Sequence, residues 1–193
     1  MPDLAVLLAE LSCGNDERAE RAALRLREFG LDALTPLREL AHSKRSEQRW
    51  WAVRAMANCG PTPAVIGDLL VALEDETLEV RQCALLSLVS HPDSQAVPAL
   101  LRRLGDPDGL SAQLAGNALV VIGAEAVPAL IDLVENGGRS EKLAAVRALA
   151  EIHDPRAIPA LMKTLAADSS LMQYWAEHGL DTLGLGMVYI KPE

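Results

Sequence analysis

Apolar residues recur along the chain at spacings of three and four, the mark of helices that bury one face. A longer period overlies this one. Leu26, Met56, Leu88, Leu119, Leu149 and Leu180 are separated by 30, 32, 31, 30 and 31 residues, and each follows another leucine by 19 residues: Leu7, Leu37, Leu69, Leu100, Leu130 and Leu161. Each period therefore predicts two short helices, one around each leucine. In the fifth period, residues 126–134 read as the first helix and Asn136-Gly137-Gly138 as the break. Ser140 reads as the N-cap of a second helix that runs through Leu149 to Ile152. Pro98, Pro128 and Pro159 each stand two residues before the first-helix leucine. In a first turn the missing N–H of proline has no helical partner to lose.

The periods run over 2–30, 31–60, 61–92, 93–123, 124–154 and 155–184, and together they read as one array. A lone helix pair cannot bury its own apolar face, whereas stacked neighbours bury it continuously. With helices packed about 8–10 Å apart, six pairs predict an array roughly 50–60 Å long with a concave side. The segment 185–193 breaks the period, and Val188, Tyr189 and Ile190 are too apolar for a free polar end. It reads as a cap over the last pair or as a docking segment for a partner.

Composition narrows the picture. Hydrophobic residues make up 50% of the chain but aromatics only 3%, so leucine and alanine dominate and the balance favours helices over strands. The net charge of -9 argues against binding a nucleic-acid backbone. No apolar run approaches 18 residues, so no membrane span is expected. The start of the chain lacks the basic region of a signal peptide, and Cys13, Cys59 and Cys83 match neither a disulfide framework nor a zinc spacing. These features point to the cytoplasm, with no metal and no cofactor. The charge is uneven: residues 1–60 hold nine basic and nine acidic side chains, and residues 61–193 hold nine and eighteen. Arg18, Arg21, Arg25, Arg27, Lys44, Arg45, Arg49 and Arg54 make the first third locally basic, either as a solvated face with helical ion pairs or as a docking surface.

Glu79-Val80-Arg81, the run 126–131 and above all the run 143–161 resemble HEAT repeats, and more narrowly the HEAT-like repeats of the phycobilisome-lyase type. The similarity covers nearly the whole chain and is clearest over 63–165. It implies an all-α fold, a right-handed α-solenoid of about six helix pairs with the second helices lining the concave side. It implies little about function, because such repeats serve scaffolds, adaptors, lyase subunits, hydroxylases and DNA glycosylases.

The helical wheel turns residues two and six before each second-helix Leu slot away from the core. These are Glu20, Leu24, Trp50, Arg54, Gln82, Leu86, Gln113, Asn117, Leu143, Arg147, Tyr174 and His178. Four of the six aromatics fall in Trp50-Trp51 and Tyr174-Trp175, at the same slots of periods two and six. They read either as anchors for a partner or as fillers between neighbouring helices. Leu24, Leu86 and Leu143 put apolar side chains where polar ones are expected.

Enzyme classes of this repeat type leave little trace. Iron-binding hydroxylases with such repeats carry His-Glu pairs, and no His-Glu dipeptide occurs in this chain. The repeat-containing DNA glycosylases use a basic groove, which the charge opposes despite Trp50, Trp51 and Arg54. His42, His91, His153 and His178 fall in separate periods. The sequence is therefore read as a non-enzymatic scaffold or adaptor. It would bind another protein on its concave face through Trp50, Arg54, Leu86, Asn117, Arg147, Tyr174 and His178, with no catalytic, cofactor-binding or metal-binding residues. The alternative is a phycobilin lyase or lyase-like subunit acting on a chromophore protein.

Overall fold

The structure, a computed structural model, describes residues 3–185. Beyond Leu185, the segment expected to cap the array or to dock a partner lies outside the described residues. Among the described residues there are twelve α-helices and no strand. The chain divides into two compact units, residues 1–96 and 97–193.

The first unit holds three helix pairs: α1 (Leu4–Leu11) with α2 (Asp16–Leu26), α3 (Leu34–Ala41) with α4 (Ser46–Asn58), and α5 (Pro63–Ala72) with α6 (Leu78–Ser90). Within it, α4 packs on both α2 and α6. The second unit repeats the plan: α7 (Val97–Arg103) with α8 (Gly109–Ile122), α9 (Val127–Asn136) with α10 (Arg139–Ile152), and α11 (Ile158–Thr164) with α12 (Ser170–Thr182). There α10 packs on α8 and α12.

All twelve residues of the leucine period are no more than 2% exposed. Burying each is worth about 1.5–3 kcal/mol, so the period is the core of both units. Between the leucines, small residues set the helix spacing. Gly179 on α12 sits so close to α10 that an added Cβ would lie 2.9 Å from the Cα and Cβ of Ala150.

The helix ends follow local chemistry. Asp3, Asn15, Thr62, Asp108 and Ser169 cap their helices by accepting backbone N–H bonds. Pro98, Pro128 and Pro159 are the second residues of α7, α9 and α11. Short 3-10 turns lead into these three helices, at Ser94–Ala96, Gly123–Glu125 and Pro155–Ala157. Gly123 opens the second of these with φ 76°, a left-handed value that a side chain would strain. One expected end differs. The second helix of the fifth repeat begins at Arg139 rather than after Ser140. Extended Gly138 serves as the N-cap, and Glu141 Oε2 reaches back to accept its N–H at 2.7 Å. A carboxylate three residues on thus satisfies the N–H of the N-cap residue itself, and the Ser140 hydroxyl is not the cap.

A buried ion pair ties the second repeat to the third. Arg49, 7% exposed, donates from Nε to Asp75 Oδ2 at 2.7 Å and from a terminal nitrogen to Asp75 Oδ1 at 2.9 Å. It also reaches the Ser43 carbonyl and the Thr77 hydroxyl. Burial pushes the Asp75 carboxyl up, but the bonds from Arg49 and from the Thr77 N–H outweigh it and hold the group below its ordinary value. Arg49 therefore belongs to neither a solvated face nor a docking surface.

Candidate functional site

In the first unit the outward positions of α2, α4 and α6 are partly closed by their own contacts. Arg54 donates to Glu20 Oε1 at 2.8 Å and so bridges α4 to α2. That bond, opposed by partial burial, raises the guanidinium above its ordinary value. Trp50 is half-buried and meets the buried Trp51 edge-on, with ring centres 4.7 Å apart. The Cys83 thiol lies beneath, 4.0 Å from the Trp50 carbonyl, and burial pushes it up to about 11. Leu24 and Leu86 stand exposed, at 44% and 53%. Part of the local basic character is met by ion pairs: Arg18 bonds Glu10, Arg45 bonds Glu47, Arg49 bonds Asp75 and Arg54 bonds Glu20.

The second unit has an open cleft of about 430 Å³ between α8, α10 and α12. Small residues make the room: Ala112 and Gly116 on α8, Ala144 and Ala148 on α10. Leu143, Leu171 and Trp175 give it apolar walls, and Gln113, Asn117, Arg147 and Glu151 give it polar edges. Arg147 lies over the Trp175 ring, with its guanidinium carbon 5.4 Å from the ring centre, and donates from Nε to Glu151 Oε1 at 2.8 Å. Asp106, also in the lining, is turned inward against Arg103 and the Asp108 N–H.

The structure sorts the seven candidate residues by unit. Trp50 and Arg54 on α4 and Leu86 on α6 belong to second helices of the first unit. Asn117 and Arg147 line the cleft of the second unit, whereas Tyr174 and His178 do not. Those two stand exposed on α12, rings parallel with centres 6.3 Å apart, and each meets Trp175 near a right angle. Trp175, which the wheel did not select, lines the cleft with Glu151 and Leu171. A sequence signal for it existed, since its indole shares the α12 dipeptide with Tyr174.

His91 and His153 follow the ends of α6 and α10, and His153 takes the left-handed conformation there. Among the described residues no three His, Cys, Asp or Glu side chains converge to hold a metal ion, and no helix is long and apolar enough to cross a membrane.

Comparison with known proteins places the repeat. Residues 34–120 match the family of HEAT repeats, and residues 142–167 match the PBS lyase HEAT-like repeat. The chain carries HEAT repeats over these residues. This HEAT-repeat chain is 31% identical over 131 residues to the bilin biosynthesis protein RpcF of Synechococcus sp. strain WH8020, which covers 67% of the chain and 61% of that protein. It is 35% identical over 98 residues to the phycocyanobilin lyase subunit beta of Nostoc sp. strain PCC 7120, covering 51% and 48%. It thus spans about half to three fifths of the length of these curated relatives. The complex of CpcE and CpcF of phycocyanin lyase from Nostoc sp. PCC7120 matches 95% of the HEAT-repeat chain and 78% of the solved chain, with a TM-score of 0.54 and 22% identity. That likeness speaks for the fold.

These relatives overturn the reading of the sequence as a non-enzymatic scaffold or adaptor. They are a lyase subunit and a bilin biosynthesis protein. The error has a physical origin. Most of the sequence in a HEAT array specifies helix packing, and that packing is the same whatever the outward positions bind.

Proposed function

We propose that this chain acts as a lyase-type subunit on a chromophore-bearing protein, in concert with another subunit. The observation that carries the reading is the 35% identity over 98 residues to a phycocyanobilin lyase subunit beta. The cleft between α8, α10 and α12 supports it, because it joins apolar walls to a few convergent polar groups, as small-molecule sites do. Each unit offers residues to the chromophore protein: Trp50, Arg54 and Leu86 on the first, and Asn117, Arg147, Tyr174 and His178 on the second. The three free thiols suit a reducing compartment such as the cytoplasm.

The test mixes the full chain with a phycobilin, an acceptor chromophore protein and a candidate partner subunit, and follows bilin absorbance. The expected result is a change in the rate of chromophore attachment or removal that depends on this chain. Flat spectra across a panel of phycobilins and partner subunits would overturn the reading. A Trp50→Ala/Tyr174→Ala variant that matches the unaltered chain would remove those two residues from the contact surface.

A further inference from the structure

We infer that the cleft of the second unit takes an open-chain tetrapyrrole by one carboxylate, with Arg147 as the residue that selects for the acid. The ligand's identity rests on the lyase-type reading; the assignment of Arg147 rests on the cleft. Among the described residues that line the cleft, Arg147 is the one cation. Its Nε is occupied by Glu151, and its terminal nitrogens bond no described residue. They carry four N–H donors in a planar fork, which matches a carboxylate. The side chain is 41% exposed, so a ligand can reach that fork from solvent.

Glu151 and the Trp175 ring fix the guanidinium from two directions, so little rotamer freedom remains to be lost when an acid binds. Leu143, Ala144 and Trp175 offer apolar surface beside the fork for conjugated rings. Gln113 and Asn117, on the facing helix α8, carry donors and acceptors suited to pyrrole N–H and lactam groups. At about 430 Å³ the open cleft lies in the ordinary range of small-molecule sites and takes one end of such a ligand rather than all of it.

The experiment titrates the full chain with biliverdin, a linear tetrapyrrole carrying two carboxylates, and separately with its dimethyl ester, by visible absorbance. The free acid binds about tenfold more tightly than the ester, the scale of one charge-assisted hydrogen bond. Arg147→Gln weakens the acid to the level of the ester and leaves the ester unchanged. Trp175→Leu weakens both. Arg156→Gln, which alters a cation outside the cleft, changes neither.

Equal binding of acid and ester by the unaltered chain would overturn the inference without need of any variant. An Arg147→Gln variant that weakens both forms alike, or the absence of binding by either form, would do the same. A chromophore-transfer assay on the same preparations separates this inference from the functional reading. Transfer without acid-selective binding overturns the inference alone. Acid-selective binding in a chain that never affects transfer overturns the functional reading alone.

Discussion

The guanidinium of Arg147 on α10 lies over the indole of Trp175 on α12, 5.4 Å from its centre. The contact joins two neighbouring second helices at the edge of the cleft. A cation over an indole at a partly solvated site such as this is worth about 0.5–1 kcal/mol. A double-mutant cycle with Arg147→Ala and Trp175→Leu, read by urea unfolding, therefore returns a coupling of about that size. A coupling of zero would mean that the arrangement carries no energy of its own.

Gly179 is a point of close approach between the same two helices. Gly179→Ala places a methyl group 2.9 Å from Ala150 and from Leu161 Cδ1, so the helices must part. Overpacking of this kind costs about 1–3 kcal/mol, despite the better helix propensity of alanine. The unfolding midpoint in urea falls accordingly. A midpoint that rises would show that α12 can shift without loss.

In the first unit, Asp75→Asn removes the bidentate carboxylate that faces buried Arg49 and leaves only the exposed Glu76 carboxylate, at 3.1 Å, opposite it. Breaking a buried pair costs about 3–5 kcal/mol, and the bonds of Arg49 to Ser43 and Thr77 keep the loss at the lower end of that range. Chemical unfolding of the variant measures it. The double change Arg49→Met/Asp75→Leu costs less than Asp75→Asn alone, because it leaves no unmatched charge.

The same pair gives an acid response. The folded Asp75 carboxyl titrates below its ordinary value, whereas in the unfolded chain it titrates at about 4. Its contribution is complete above the unfolded value and is lost as pH falls through the folded one. Between pH 5 and pH 3 the native chain thus loses more stability than the Asp75→Asn variant. Parallel loss in both would show that other carboxylates dominate.

Cysteine labelling orders the three thiols by access. Cys13 is exposed, Cys59 is half-buried, and Cys83 is buried with its thiol pushed up to about 11. With iodoacetamide at pH 8 the native protein is modified at Cys13 first and at Cys83 last, as mass spectrometry of digests would report. Early labelling of Cys83 would reveal opening between α4 and α6.

Which of these features the sequence could show depends on whether they are local. The leucine period located both helices of every repeat, and all twelve of its positions are buried, because a repeated apolar slot has only the core to enter. Proline and glycine marked the helix starts and breaks for the same local reason. At α10 the N-cap is Gly138 rather than Ser140, because the extended backbone ends at Gly138 and Arg139 is already helical.

The cleft was half legible. Arg147, Asn117, Gln113 and Leu143 follow from the wheel, but Trp175 lines the cleft in place of Tyr174. Adjacent residues straddle the outward direction of a helix, and it is Trp175 that meets Arg147 of α10. The Arg49–Asp75 pair was illegible, since its partners lie 26 residues apart on different repeats. The function was hidden because helix packing fills most of the sequence.

Arg49 also bears on how the first unit opens. Its bonds run from the head of α4 to the turn that precedes α6, so α6 cannot swing away while α4 stays folded without stranding a charge. The second and third repeats therefore behave as one cooperative block in hydrogen exchange. Amides of α4 and α6 are protected to the same free energy, while α1, outside that staple, frays first.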